Sequence, residues 1–356
     1  MKSKDILACM LSVSGLVLTD EEKFLLSKSN PLGITLFKRN IDTKEQVKNL
    51  ILSIKEVIGR DDVLIATDQE GGRVCRFTAP EWNSYLSQSQ LGFLSEKYGD
   101  EILRLHASLI AYDLKELGVN WNYAPVLDVA YSHTTKALKS RIFSSDEKQV
   151  ARNGKILLEG YSQNGICSCI KHLPGHGRAV VDPHLRLPVL TQTRQELEKD
   201  FFPFKSLSQD AVAGMTAHIV ISAIDNVPVT QSKKAIDEII RKEIGFDGFL
   251  ISDAIDMHAL SGTLTQKVNG CLNAGCDAVC YCFGKINETQ EVVNASRPLT
   301  DRGYERFFKI KKLIEKQAQP LNVQQLYARY KELSKEANDV ENDYDVVETL
   351  HLMNKK

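Results

Sequence analysis

Residues able to do chemistry gather in three short stretches of this 356-residue chain. The most unusual is KHLPGHGRAVVDPHLRLP, residues 171–188. Pro174, Gly175 and Gly177 make a loop that suits neither helix nor sheet, and the loop carries His176, Asp182 and His184. Asp182 and His184 stand two apart across Pro183, near enough for the carboxylate to bond the imidazole. Such a pair sets the tautomer and steadies the imidazolium, so His184 could pass a proton near neutral pH. The second stretch is GFDGFLISDAIDM, in which Asp253 directly follows an apolar run. An acid held there on rigid backbone and partly desolvated suits a nucleophile or base. Its plainer role would be a helix N-cap, which Ser252 or Asp256 could equally supply. The third, DQEGGRVCR, sets Asp68, Arg73 and Arg76 beside glycines that let a ligand approach the backbone; a surface ion pair is its bland alternative.

His172, His176, Asp182 and His184 also resemble metal ligands, as in a metal-dependent barrel hydrolase. Such enzymes often start from an HxH after the first strand, and Leu11 to Ser14 offers none. Eight cysteines are too sparse for a disulfide scaffold, and Cys271, Cys276, Cys280 and Cys282 lack paired CxxC spacing. They read as buried thiols in a strand, reduced as in a cytoplasmic protein. A balance of 45 basic against 46 acidic residues excludes a protein that lives by wrapping phosphate backbone, so no nucleic acid partner is expected. No run of eighteen apolar residues exists to span a bilayer, and no membrane partner is expected. The apolar start, Ile6–Leu18, leads into Thr19-Asp20-Glu21-Glu22 rather than a small-residue cleavage site, and reads as a first strand.

The elements that must position these groups alternate. Apolar, β-branched runs recur at 6–13, 33–37, 63–67, 119–124, 165–170, 212–217, 248–252 and 277–283. Helical periodicity lies between them, at 43–58, 100–117, 146–164, 195–209 and 233–244. Eight such units predict an α/β fold, a (β/α)8 TIM barrel formed as a single domain over 1–317, with a charged helical C-terminal extension over 318–356. Barrel geometry gathers the residues after the strands at one mouth: Asp68, Asp128, Lys171, His172, His218 and Asp253.

Taken in order, GITLFKRN, ATDQEGGRVCRF, NYAPVLDV, the Arg141 loop, KHLPGHG with its DPH, TAHIV and GFDGFLISDAIDM resemble glycoside hydrolase family 3. The likeness is to its single-domain, NagZ-type bacterial branch, β-N-acetylglucosaminidases of peptidoglycan recycling. The resemblance implies a retaining mechanism through a covalent glycosyl-enzyme. Asp253 would be the nucleophile and His184 the proton donor and acceptor, with Asp182 orienting it. Asp68, Arg76, Arg141, Lys171 and His172 would bind the sugar, and His218 is a further candidate for the pocket. It implies no cofactor and no metal. The expected partner is a sugar or muropeptide substrate, cut at its terminal non-reducing N-acetylglucosamine, and the expected state is a monomer. The chain departs from the pattern at Pro183, where Ser is more common, at Cys75, and at Ala254, where a second Asp is frequent. A sugar-binding protein without turnover and a family 3 phosphorylase are the remaining rivals.

Overall fold

The computed structural model describes residues 5–316 and 321–337. Strands β1 (Leu7–Leu11), β2 (Pro31–Leu36), β3 (Leu64–Thr67), β4 (Trp121–Asn122), β5 (Cys167–Ser168) and β6 (Ile170–Leu173) come first. They are followed by β7 (Val189–Leu190), β8 (Ala213–Thr216), β9 (Val220–Ile221), β10 (Phe249–Ala254) and β11 (Ala278–Cys280). One parallel sheet runs β5-β4-β3-β2-β1-β11-β10-β8-β6. Its two ends, β5 and β6, are successive halves of one segment broken at Cys169, so the sheet closes on itself as eight staves. The expected barrel is present. Strands such as β2 and β3 are buried at every position, which is why they read as unbroken apolar runs rather than as alternating ones.

Helices between the staves cover the barrel. Lys44–Ile58 starts at Thr43, whose hydroxyl accepts from Gln46 N, and ends at Gly59 in a left-handed conformation (φ 74°). Asp100–Leu117 falls where its periodicity placed it, while 233–244 winds as a π-helix over Ala235–Glu243. Two boundaries differ from the sequence reading in a way that matters. Lys171 and His172 lie inside β6, and Asp253 lies inside β10, so strand backbone itself sets their positions. The small β7–β9 pair was not anticipated, being only two residues long on each side; it fastens the end of the 171–188 stretch beside the segment after β8. The cysteine reading holds for burial at Cys271, Cys276 and Cys280, while Cys282 is only half-buried, and it fails for placement: Cys271 lies in the helix Leu264–Ala274, and only Cys280 of the four is in a strand. All eight thiols are free. Among the described residues no helix is long and apolar enough to cross a membrane.

After the last barrel helix, Val323–Ser334 forms a helix that returns to the barrel; Glu336 and Ala337 are also described, and the rest of the acidic run at 336–345 lies outside the described residues. Tyr330, 2% exposed, anchors it. Its hydroxyl accepts from Leu86 N at 2.9 Å and donates to His106 Nδ1 at 2.9 Å, while His106 Nε2 donates to Glu70 O at 3.2 Å. Burial pushes the His106 pKa down to about 4, so the imidazole stays neutral and one tautomer satisfies both bonds. Tyr330→Phe leaves two buried groups without partners and is expected to cost about 1–3 kcal/mol of stability. Denaturant unfolding checks this; a midpoint equal to wild type would show that the hydroxyl contributes nothing.

Candidate active site

At the carboxyl ends of the strands lies a cavity of about 200 Å³. Asp68, Arg76, Arg141, Lys171, His172, His176, Asp182, His184 and Asp253 all line it. Residues at the ends of β3, β6 and β10 and in the connections after β3, β4 and β6 therefore meet at one place, as the barrel requires.

One wall is a network of buried charges. Asp68, just past β3, accepts from Lys171 Nζ at 2.9 Å and from Arg76 Nη2 at 3.0 Å. Two residues on, Glu70 accepts both arms of the Arg141 guanidinium, each at 2.8 Å, and lies 2.6 Å from Lys171 Nζ. Burial works to raise both carboxyl pKa values, but the neighbouring cations outweigh it: Asp68 is held well below its ordinary value and Glu70 at about 2. Two carboxylates thus fix three cations without leaving a buried charge unpaired. Glycine is needed beside them, because a Cβ on Gly71 (φ 108°) would come within 1.9 Å of Leu86 O. That close approach lets the segment turn under the site.

Asp128 organises the next wall. Its Oδ2 accepts from His172 Nδ1 at 2.7 Å, and its Oδ1 from His176 N at 2.6 Å. The Nε2 of His172 then faces Arg141 Nη2 at 3.4 Å. His176 is 2% exposed, and neither of its ring nitrogens has a hydrogen-bond partner in the protein. Burial pushes its pKa down to about 4, so it lines the cavity as a neutral imidazole.

Asp182 Oδ1 accepts from His184 Nδ1 at 2.7 Å and from His184 N at 2.9 Å. The bond to the imidazole outweighs burial and keeps the Asp182 pKa below its usual value. With its side chain 41% exposed against 7% for Asp182, His184 stands between cavity and solvent with Nε2 uncommitted. The loop carrying the pair is pinned on both sides. Gly177 O accepts from Thr134 Oγ1 at 2.6 Å, Arg178 pairs with Asp200 at 2.6 Å, and Pro183 O accepts from Ala259 N at 3.1 Å. Only glycine fits at 177, since a Cβ there would meet Val129 O at 1.8 Å.

In the same cavity, Asp253 Oδ1 accepts from Ala254 N at 2.8 Å. Burial would raise the Asp253 pKa, yet the imidazoles of His218 and His172 and the Ala254 N–H hold it below the ordinary range. The carboxylate is ionised at neutral pH and opens on the cavity, a state in which it can attack an electrophilic carbon.

His218 corrects the sequence reading. It does not line the cavity; it is fully buried behind it, with Nδ1 on Thr230 Oγ1 at 2.8 Å and Nε2 on Ala254 O at 3.0 Å. It holds the end of β10 in place from behind. The ligand set of the metal reading is likewise divided: His172 and His184 each bond their own carboxylate through Nδ1. Among the described residues, no three His, Cys, Asp or Glu side chains converge as metal ligands.

The model of the glycosyl hydrolase family 3 N terminal domain matches residues 6–303, most of the chain and every residue of this cavity. The chain belongs to glycosyl hydrolase family 3. Among curated relatives, a beta-hexosaminidase from Haemophilus influenzae is 34% identical over 297 residues, covering 80% of each chain. A beta-hexosaminidase from Hydrogenovibrio crunogenus is 36% identical over 281 residues, covering 77% of this chain and 78% of its own. The crystal structure of NagZ from Neisseria gonorrhoeae in complex with N-trifluoroacetyl-D-glucosamine superposes with a TM-score of 0.83. It is 28% identical and covers 93% of this chain and 99% of its own. This chain is accordingly a family 3 glycosidase with the barrel of that family.

Of the acids in this family 3 site, Glu70 was not singled out from sequence, and Asp128 was placed at the mouth without a role. Asp128 was visible as a strand end, but its hold on His172 and His176 depends on contacts 44 and 48 residues away. Glu70 stood in plain view between Gln69 and Gly71, and nothing local separates it from Asp68. Glu70→Gln is expected to leave Arg141 and Lys171 undercompensated, at a cost of about 3–5 kcal/mol. Because the folded pKa of Glu70 is depressed, its contribution is present above the unfolded value of about 4.3 and is lost as pH falls toward 2. The variant should therefore lose stability less steeply over that acid range. Denaturant unfolding across the range checks it, and an acid limb as steep as that of wild type would contradict the pairing.

Proposed function

We propose that the chain is a retaining exo-β-N-acetylglucosaminidase acting on terminal non-reducing β-linked N-acetylglucosamine. The observation that carries this reading is that Asp253 and the Asp182–His184 couple line one cavity of about 200 Å³. An ionised carboxylate and a hydrogen-bonded imidazole are the two groups that a double displacement needs. In this reading Asp253 attacks the anomeric carbon while His184 gives its proton to the departing oxygen. In the second step His184 takes a proton from water, which attacks the same carbon and frees Asp253. Asp182 keeps the His184 proton-transfer nitrogen toward the reacting oxygen and stabilises the cation that forms. Most retaining glycosidases use two carboxylates; an imidazole replaces one here.

Asp68, Arg76, Arg141, Lys171 and His172 would bind the sugar. Pre-paired cations and carboxylates present directed donors and acceptors to hydroxyl and acetamido groups without rearranging. His176, whose nitrogens lack partners in the protein, is a further candidate for a sugar hydroxyl. The relatives named beta-hexosaminidase and the glucosamine-derivative complex of the gonococcal protein support the sugar. The natural aglycone in this proposal is a muropeptide fragment, GlcNAc-1,6-anhydro-MurNAc, by resemblance to the bacterial branch. The reaction would run in the cytoplasm, where eight free thiols stay reduced. The barrel over 1–317 would hold all of the chemistry, with 318–356 as an accessory extension and the protein working as a monomer.

Release of nitrophenol from the β-N-acetylglucosaminide tests this, with the β-glucoside as comparison and EDTA present throughout. Chelator-resistant turnover of the N-acetylglucosaminide over the glucoside is expected. No turnover of either glycoside, or turnover abolished by EDTA and restored by zinc, would overturn the reading.

A further inference from the structure

Of the eight cysteines, only Cys280 and Cys282 line the catalytic cavity. Cys280 ends β11 and Cys282 follows two residues later, so extended backbone sends both side chains to the same side. Their sulfurs stand 3.6 Å apart. The backbone on either side is fixed: Cys280 N donates to Ser252 Oγ at 3.0 Å, and Cys282 N donates to Asp256 Oδ1 at 2.9 Å. Arg39 Nη2 holds Cys282 O at 2.5 Å. Neither Cys280 nor Cys282 has a place in the glycosidase mechanism.

We propose that Cys280 and Cys282 form a two-sulfur site for one thiophilic d10 cation, of the zinc or cadmium class, in the wall of the sugar cavity. Two thiolates on one tetrahedral zinc, each about 2.3 Å from it, stand about 3.8 Å apart, which the observed pair meets with almost no movement. A disulfide would need the sulfurs to close to about 2.05 Å, so capture of a cation suits this geometry better than oxidation. Binding converts two thiols and one divalent cation into a bis-thiolate complex and two released protons, with no change of oxidation state. The remaining coordination positions face the cavity and are open to water. An ion held there shares a cavity of about 200 Å³ with the substrate, so ion and sugar compete.

Cadmium is the probe, titrated alone into the full-length protein kept reduced, with thiolate-to-cadmium charge-transfer absorption in the ultraviolet as readout. One equivalent is expected to bind with the thiolate band. Cys280→Ala or Cys282→Ala should each weaken binding by about 100-fold and lower the band by about half or more, since one thiolate remains, whereas Cys75→Ala should do neither. Circular dichroism shows whether each variant is folded, and the wild-type band does not depend on any variant. A wild-type protein that binds cadmium without the band, as at Asp182 and His184, would overturn the proposal. So would a band of wild-type intensity and affinity in both cavity variants. The competition arm alone rests on the sugar reading: saturating N-acetylglucosamine should weaken cadmium binding. A thiolate band unmoved by the sugar would leave the two-sulfur site standing and count against the sugar reading.

Discussion

Asp253→Ala is expected to lower turnover of the activated N-acetylglucosaminide by about 10⁴–10⁶-fold, the range found when one member of a covalent catalytic unit is removed. The effect should be this large because no other carboxylate is placed to take over. Asp68 is committed to Lys171 and Arg76, and Asp182 to His184. Asp256 is the nearest rival in sequence, but one of its oxygens is tied to Cys282 N and burial pushes its pKa up to about 6, which makes it a poorer anion near neutrality. Truncation to alanine also opens space where the carboxylate stood. Azide is expected to enter that space, attack the same anomeric carbon and restore part of the turnover as glycosyl azide. Turnover within about tenfold of wild type would place the nucleophile elsewhere.

The second large effect concerns His184. His184→Ala is expected to lower turnover by about 10²–10⁴-fold on a substrate whose leaving group needs a proton, such as an alkyl glycoside or a disaccharide. On a nitrophenyl glycoside, whose leaving group departs as a stable anion, the first step should be nearly spared and the intermediate should accumulate. A burst of nitrophenol followed by slow steady release is therefore expected from this variant. The contrast between substrates separates acid/base catalysis from mere damage to the cavity. An equal loss on both, without a burst, would assign His184 to binding. Asp182→Asn should show the same pattern more weakly, because the imidazole remains but loses its orienting anion.

The barrel was legible because staves such as β2, β3 and the first four positions of β10 are buried on both faces, so apolar runs of four to six residues stood out between charged helices. Strand ends marked the mouth for a related reason: Asp68 and Asp128 are where apolar runs give way to polar groups. The ends themselves were less certain, and Lys171, His172 and Asp253 proved to be strand residues. A polar side chain pointing into a barrel mouth is indistinguishable in sequence from one just beyond the strand. His218 shows the opposite failure. An imidazole after an apolar run looks like a cavity residue, yet its two bonds to Thr230 and Ala254 turn it into a buried brace. Glu70 was hidden by its neighbours, since its value lies in Arg141 and Lys171, 71 and 101 positions away. The helices at Asp20–Ser29 and Gln88–Tyr98 escaped notice because their apolar faces are narrow, although Thr19 with Glu22 and Ser87 with Gln90 form capping boxes that mark their starts.

The most direct test of the account is to trap the glycosyl-enzyme. An N-acetylglucosaminyl fluoride bearing a second fluorine at C5 forms the intermediate readily, because fluoride leaves well, and slows its hydrolysis by destabilising the oxocarbenium-like transition state. Intact-mass measurement followed by peptide mapping should find one sugar per chain, on the peptide carrying Asp253, with loss of the label in Asp253→Ala. A label on another side chain would contradict the account, as would turnover of the fluoride with no covalent species and inversion at the anomeric carbon.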